Sequence, residues 1–213
     1  MNNYESLRDY VYKYISNKIQ IGELTSNQKI SEADICRDLS ISRTPAREAL
    51  IKLASDYLIE YAPRRGFFVK ELSIKEKLDI YSVIACLDGF AATLAVEKIN
   101  EDDLKKMTKI VTELEVAIEN KDYNLYNKLQ FSFHYVYIEK SDNKTLVDMI
   151  NTLENSFLPI TYANKNHELL FAILKDVNEE HRHIIELFKK KDGKELENFL
   201  RNVHWATKYL DMV

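Results

Sequence analysis

From Ser73 onward, apolar residues recur at intervals of three and four in six runs separated by breaks of two or three residues. That interval is the period of an α-helix, and it predicts helices over 74–98, 101–119, 123–140, 144–163, 167–190 and 193–211. Asn100, Asp122, Asn143 and Asp192 stand at four of the starts, where a short side-chain oxygen accepts from the first free backbone N–H groups. Connections this short make consecutive amphipathic helices run antiparallel, so this part of the chain is expected to form one all-α bundle. With only four Gly and three Pro in 213 residues, a turn-rich β-protein is excluded.

The first seventy residues read differently. Leu7, Val11, Ile15 and Ile19 form one helical stripe between Tyr4 and Ile21, and Gly22 then supplies a stop. Ser31-Glu32-Ala33-Asp34 has the form of a capped helix start, with Ile35 and Leu39 as the inner contacts of a short second helix. Ser40-Ile41-Ser42 is the turn into a third, begun by Ser42 or Thr44 and tolerating Pro45 in its first turn. Ala46, Leu50 and Leu53 make its inner stripe, while Arg43, Thr44, Arg47 and Lys52 lie outward. Residues 57–61 and 66–69 read as two strands joined by Ala62-Pro63-Arg64-Arg65, and Ser73-Ile74-Lys75-Glu76 opens the next helix. The boundary therefore falls at about residue 71. The expected fold is mainly α, with a winged helix-turn-helix over 1–71 and an antiparallel helical bundle over 72–213.

A net charge of -4 argues against nucleic acid as a partner until it is divided. Residues 1–70 hold 11 Lys and Arg against nine Asp and Glu, so the acidic excess lies in the second half. Arg43 and Arg47 project from one side of the third helix, where guanidinium groups can read guanine edges in the major groove. Arg64 and Arg65 sit at the wing tip, suited to the adjacent minor groove, and Gly66 permits close backbone approach. The stretch from Ile30 to Val69 resembles the DNA-binding domain of the GntR family. The likeness is densest in Ser42-Arg43-Thr44-Pro45-Ala46-Arg47-Glu48-Ala49-Leu50 and in Pro63-Arg64-Arg65-Gly66-Phe67-Phe68-Val69. That resemblance implies contacts to double-stranded operator DNA from Arg43, Thr44, Arg47 and Gly66. It has one departure, Ala33 where many members carry Arg.

All five His follow residue 130. Helical spacing places His134 on the stripe of Tyr126, Leu129, Gln130, Phe133 and Tyr137. It places His181 on that of Leu174, Val177, Ile184 and Phe188, and His204 with Leu196, Leu200 and Val203, while His167 and His183 fall outside. Three inward imidazoles from three helices suit a transition metal; singly, each is more often a hydrogen-bonded core residue. Gln130-Phe131-Ser132-Phe133-His134, Glu180-His181-Arg182, Asp192 and His204 resemble the FCD effector domain of the FadR subfamily. That likeness implies a divalent metal, Zn or Ni by ligand chemistry, held by His134, His181 and His204 and helping to bind a carboxylate effector. The family's Asp ligand is Gln130 here, either a weak ligand or an outer hydrogen-bonding group. The family's frequent Arg in the first bundle helix is Ile84, and Asp88, one turn on, either faces the effector pocket or is exposed or locally paired.

The combined reading is a ligand-responsive transcription factor acting as a homodimer. The N-terminal residues carry no basic or apolar leader and no run of 18 uncharged apolar residues occurs, so a cytoplasmic location without membrane attachment is expected. Cys36 and Cys86 lack metal-site spacing and are expected as small buried side chains. The alternatives are a metal-dependent hydrolase on the three His, for which no HExxH, GxSxG or phosphate loop is present, and a bundle that only dimerises.

Overall fold

A computed structural model of the protein describes residues 6–20, 22–157 and 167–206. Contacts group the chain into two compact units, one up to Ser73 together with residues 152–157, the other holding the remaining described residues from Ile74.

The first unit contains helices α1 (Leu7–Gln20), α2 (Glu32–Leu39) and α3 (Arg43–Ser55) and strands β1 (Lys29–Ile30), β2 (Ile59–Ala62) and β3 (Gly66–Val69). Val11, Ile15 and Ile19 of α1 pack with Ile35 of α2 and with Ala46, Leu50 and Leu53 of α3, all of them buried, so the expected stripes face one another. Ser31 caps α2 by accepting from the Asp34 N–H at 3.2 Å, whereas Ser42 precedes α3 in extended conformation without a side-chain cap bond. The sheet is antiparallel with order β1-β3-β2, and Ile30 and Tyr61 both face Phe67 across it. Strand β1 is an addition to the expected hairpin. Two residues are too few to show an alternating pattern, and they become a strand by pairing with the free edge of β3.

The second unit contains α4 (Ile74–Ala95), α5 (Glu101–Glu119), α6 (Tyr123–Ile138), α7 (Lys144–Phe157) as far as residue 151, α8 (His167–Lys190) and α9 (Gly193–Phe199). All four expected caps form. Asn100 accepts from the Asp102 and Asp103 N–H groups, and Asp103 returns the bond. Asp122 accepts from Leu125 at 3.0 Å, Asn143 from Leu146 at 3.1 Å and Asp192 from Glu195 at 3.0 Å. Helix α6 tightens into a 3-10 turn at Glu139–Ser141. The last expected helix is two pieces, because after α9 the backbone widens into a π-turn at Leu200–His204, closed by the Trp205 N–H on the Leu200 carbonyl at 3.0 Å. The expected ends at 163 and 211 lie outside the described residues.

Helix α9 lies close on α4. A Cβ on Gly89 would stand 3.3 Å from the Glu197 carbonyl oxygen, and Thr93 Oγ1 bonds the Gly89 carbonyl at 3.0 Å. The two cysteines depart from expectation: Cys36 is half-buried and Cys86 exposed. Apolar residues surround α4 on nearly every side, so its spacing did not reveal that position 86 faces solvent.

Candidate DNA-binding face and three-histidine site

In the first unit, α3 presents Arg43, Thr44 and Arg47 to solvent, and all three are exposed. They line an open groove with Glu32, Ala33, Glu48 and Ile51, so Ala33, the departure from the family pattern, opens onto the same surface. A second groove joins helix to wing, with Arg47 on one side, Arg64, Arg65 and Gly66 on the other, and Lys29 between. The wing-tip geometry rests on backbone conformation. Arg64 takes the left-handed region at φ 66, and Gly66 takes φ 101, where a side chain is strained. Arg65 lays its guanidinium over the Phe68 ring at 5.0 Å. Among the described residues, no carboxylate forms an ion pair with Arg43, Arg47, Arg64 or Arg65. Sequence reasoning missed Lys29, because β1 was not legible.

In the second unit, α6, α8 and the π-turn each deliver one imidazole to a common point. His134 is 1% exposed, His181 0% and His204 7%, and one nitrogen of each lies within 4.8 Å of the others. Each ring's Nδ1 is committed outward. His134 Nδ1 lies 3.0 Å from Asp88 Oδ2 and 2.6 Å from the Tyr137 hydroxyl. His204 Nδ1 meets Glu180 Oε2 at 3.0 Å. His181 Nδ1 faces Asn178 Oδ1 at 3.4 Å, and Asn178 is itself anchored on the Val111 carbonyl at 3.2 Å. A carboxylate only accepts, so Nδ1 of His134 and His204 carries a proton, and in the neutral ring Nε2 is left with the lone pair.

The consequence is electrostatic. His134 Nε2 and His204 Nε2 face each other at 3.1 Å. Two lone pairs at that distance repel unless a proton or a metal ion lies between them. His181 Nε2 is fully buried and has no hydrogen-bond partner among the described residues, an omission that costs about 1–3 kcal/mol in a protein interior. A shared cation resolves both. Burial foremost, then the neighbouring His204 and His134, holds the His181 pKa well below its ordinary range. His204 is also lowered, by burial and His134 against the opposing pull of Glu180. Neutral imidazoles of this kind are the ligating form.

Asp88 is 1% exposed. It accepts from Trp205 Nε1 at 2.6 Å and from the Tyr137 hydroxyl at 2.7 and 2.8 Å, besides its contact with His134. Burial alone would raise its pKa, but His134 and the Trp205 and Tyr137 donors outweigh that, and it stays ionised. Its place is behind His134. Gln130 lies one turn before His134 and is half-buried.

The FCD domain profile matches residues 79–204, and that of the bacterial regulatory proteins of the gntR family matches residues 7–69. The chain belongs to the GntR family, with an FCD domain. This GntR regulator is 27% identical over 186 residues to the HTH-type transcriptional regulator YdhC of Bacillus subtilis (strain 168), spanning 85% of this chain and 80% of the relative. It is 23% identical over 201 residues to the HTH-type transcriptional repressor RspR of Escherichia coli (strain K12), spanning 92% and 85%. Among solved structures, E. coli McbR/YncC shares its fold with a TM-score of 0.78 at 24% identity over 94% of both chains. The chain is thus a transcriptional regulator and not an enzyme, and the hydrolase alternative has no support.

Four residues of the FCD site escaped the sequence reading as partners of the imidazoles. Asn178 and Tyr137 stand three positions from His181 and His134, a spacing that puts them on the same helical face. Glu180 and Trp205 adjoin His181 and His204 in sequence, where regular helical geometry would turn them about 100° aside. The π-turn removes that constraint for Trp205, and no periodicity announces it.

Proposed function

We propose that this GntR regulator binds operator DNA as a homodimer in the cytoplasm and responds to a small-molecule effector, with a divalent transition metal in the helical unit. Support for the DNA contact comes from four exposed guanidinium groups on α3 and the wing that border two grooves sharing Arg47 and that form no ion pair with a carboxylate among the described residues. Arg43 and Arg47 reach base edges, Thr44 binds a phosphate, and Arg64, Arg65 and Gly66 approach the neighbouring minor groove.

The observation that carries the metal reading is the convergence of three Nε2 atoms whose Nδ1 atoms are all tied outward. His134, His181 and His204 would hold the ion, and Zn or Ni suits three imidazole donors. Bound there, the metal supplies positive charge and an open coordination position for an anionic effector group such as a carboxylate. Gln130 brings no charge where the family brings Asp. Asp88 and Glu180 compensate from behind, two carboxylates that raise the basicity of His134 and His204 and balance a divalent ion. Gln130 borders the effector end of the site as the residue facing the ligand, and Asp88 acts on that end only through His134.

Two measurements test this reading. Operator fragments should shift on native gels with affinity falling steeply as salt rises, and Arg47→Ala should weaken the shift by roughly 5- to 150-fold, the size of one lost base or phosphate contact. Elemental analysis of purified protein should find about one metal ion per chain, lost in His181→Ala. Metal-free wild-type protein after incubation with Zn and Ni would refute the metal reading and leave either a bundle that only dimerises or a metal-free effector pocket.

A further inference from the structure

Ile51 is 57% exposed, an aliphatic side chain in the third turn of α3. It stands one turn past Arg47 and two past Arg43, so helical spacing carries it onto the face that holds both guanidinium groups, and it borders the same groove. Ala33 of α2 borders that groove too and is exposed, which leaves a methyl group where many family members carry Arg. A single exposed aliphatic side chain is ordinary, whereas two apolar side chains in one groove with two guanidinium groups form a mixed surface. The remaining members decide what it faces. Glu32 and Glu48 also line the groove, and among the described residues neither forms an ion pair. Free carboxylates repel phosphate oxygens, so a nucleic-acid backbone does not run along this groove and base edges fill it instead.

We propose that Ile51 and Ala33 seat the 5-methyl group of a thymine in each operator half-site, beside the bases read by Arg43 and Arg47. In the major groove an A·T pair shows the thymine methyl and the adenine N6 amino donor, whereas a G·C pair has no methyl and puts the guanine O6 acceptor where adenine has its donor. The groove matches the first pattern on both counts. Aliphatic carbon from Ile51 and Ala33 covers the methyl and removes it from water. A carboxylate of Glu32 or Glu48 accepts from the adenine amino group and repels a guanine O6 in its place. Arg at position 33 would fill this space with a guanidinium and read guanine instead, so the departure from the family pattern changes which base is preferred. The proposal rests on the DNA contact proposed above and names a base pair that this contact selects.

Selection of binding sites from randomised duplexes by the full chain, followed by replacement of each thymine in the recovered site with deoxyuridine, tests it. Deoxyuridine deletes the methyl group and keeps the pairing and every hydrogen-bonding atom. At one thymine per half-site the replacement should weaken binding by roughly fourfold, the worth of one buried methyl group. That loss should vanish in Ile51→Ala. Ala33→Arg should exchange the selected A·T pair for G·C at the same position. Ile51 is exposed and Ala suits a helix interior, so thermal unfolding of Ile51→Ala should match the wild type. Its salt dependence of binding should match as well, because no phosphate contact is removed. Equal affinity for thymine and deoxyuridine at every position, or a loss that persists in full in Ile51→Ala, would overturn the assignment while leaving DNA binding intact. Wild-type protein that enriches no duplex would overturn the DNA contact itself.

Discussion

Replacing Asp88 with Asn removes one charge from behind the three-histidine site while keeping nearly every atom in place. Asp88 Oδ2 receives Trp205 Nε1 at 2.6 Å and lies 3.0 Å from His134 Nδ1, while Oδ1 accepts from the Tyr137 hydroxyl at 2.7 Å. An Asn whose oxygen takes the Oδ2 position keeps two of those donors, and its amide turns towards a hydroxyl that can accept as well as donate. The contacts survive, but they fall from charge-assisted to neutral, a loss of about 1 kcal/mol each, offset by the easier burial of an amide. Metal affinity has no such offset. His134 loses the carboxylate that makes its Nε2 more basic, and outer partners of this kind are worth about 10- to 100-fold in affinity, or about 1.4–2.7 kcal/mol. The assay is competition for Zn against a chromogenic chelator, with thermal unfolding of metal-free protein run alongside. An affinity unchanged to within about twofold in a variant that folds normally would refute the outer-partner role of Asp88.

Acid should destabilise the metal-free protein. The folded pKa of both His181 and His204 lies below the ordinary value of 6.5. The unfolded chain therefore takes up protons near pH 6.5 that the folded chain refuses. Stability is complete above that pH and declines as pH falls towards the folded values, by at most about 1.4 kcal/mol per pH unit for each ring. Urea midpoints at pH 7.5 and 5.5 check this, and an equal or higher midpoint at the lower pH would refute the neutral assignment. In the first unit, Leu50→Ala at a fully buried position of α3 is expected to cost about 2–5 kcal/mol, read as an earlier urea transition and weaker DNA binding at growth temperature. Gly66→Ala asks a side chain to adopt φ 101. It should cost at least about 1 kcal/mol and weaken the operator shift, and unchanged binding would remove the wing tip from the contact.

The sequence determined a great deal by itself. Helical period, four side-chain caps and the scarcity of Gly and Pro are local properties, set by hydrogen bonds and torsions within a few residues, and they placed the starts of the six bundle helices, the third N-terminal helix and the hairpin. The inward facing of His134, His181 and His204 was legible for the same reason, since facing follows from position on a helix. What the sequence left open involves partners far apart along the chain. Lys29 joins the wing groove only because β1 pairs with β3. Asp88 could have been exposed or inward, and its role was decided by Tyr137 and Trp205 arriving from other helices. Trp205 reaches it through a π-turn that no periodic pattern signals. Cys86 was expected to be buried and is exposed, because a helix with apolar residues on nearly every side does not show by spacing which side packs. Local rules fix where a side chain points on its own helix, whereas only packing decides which face meets another element and which proton each imidazole keeps.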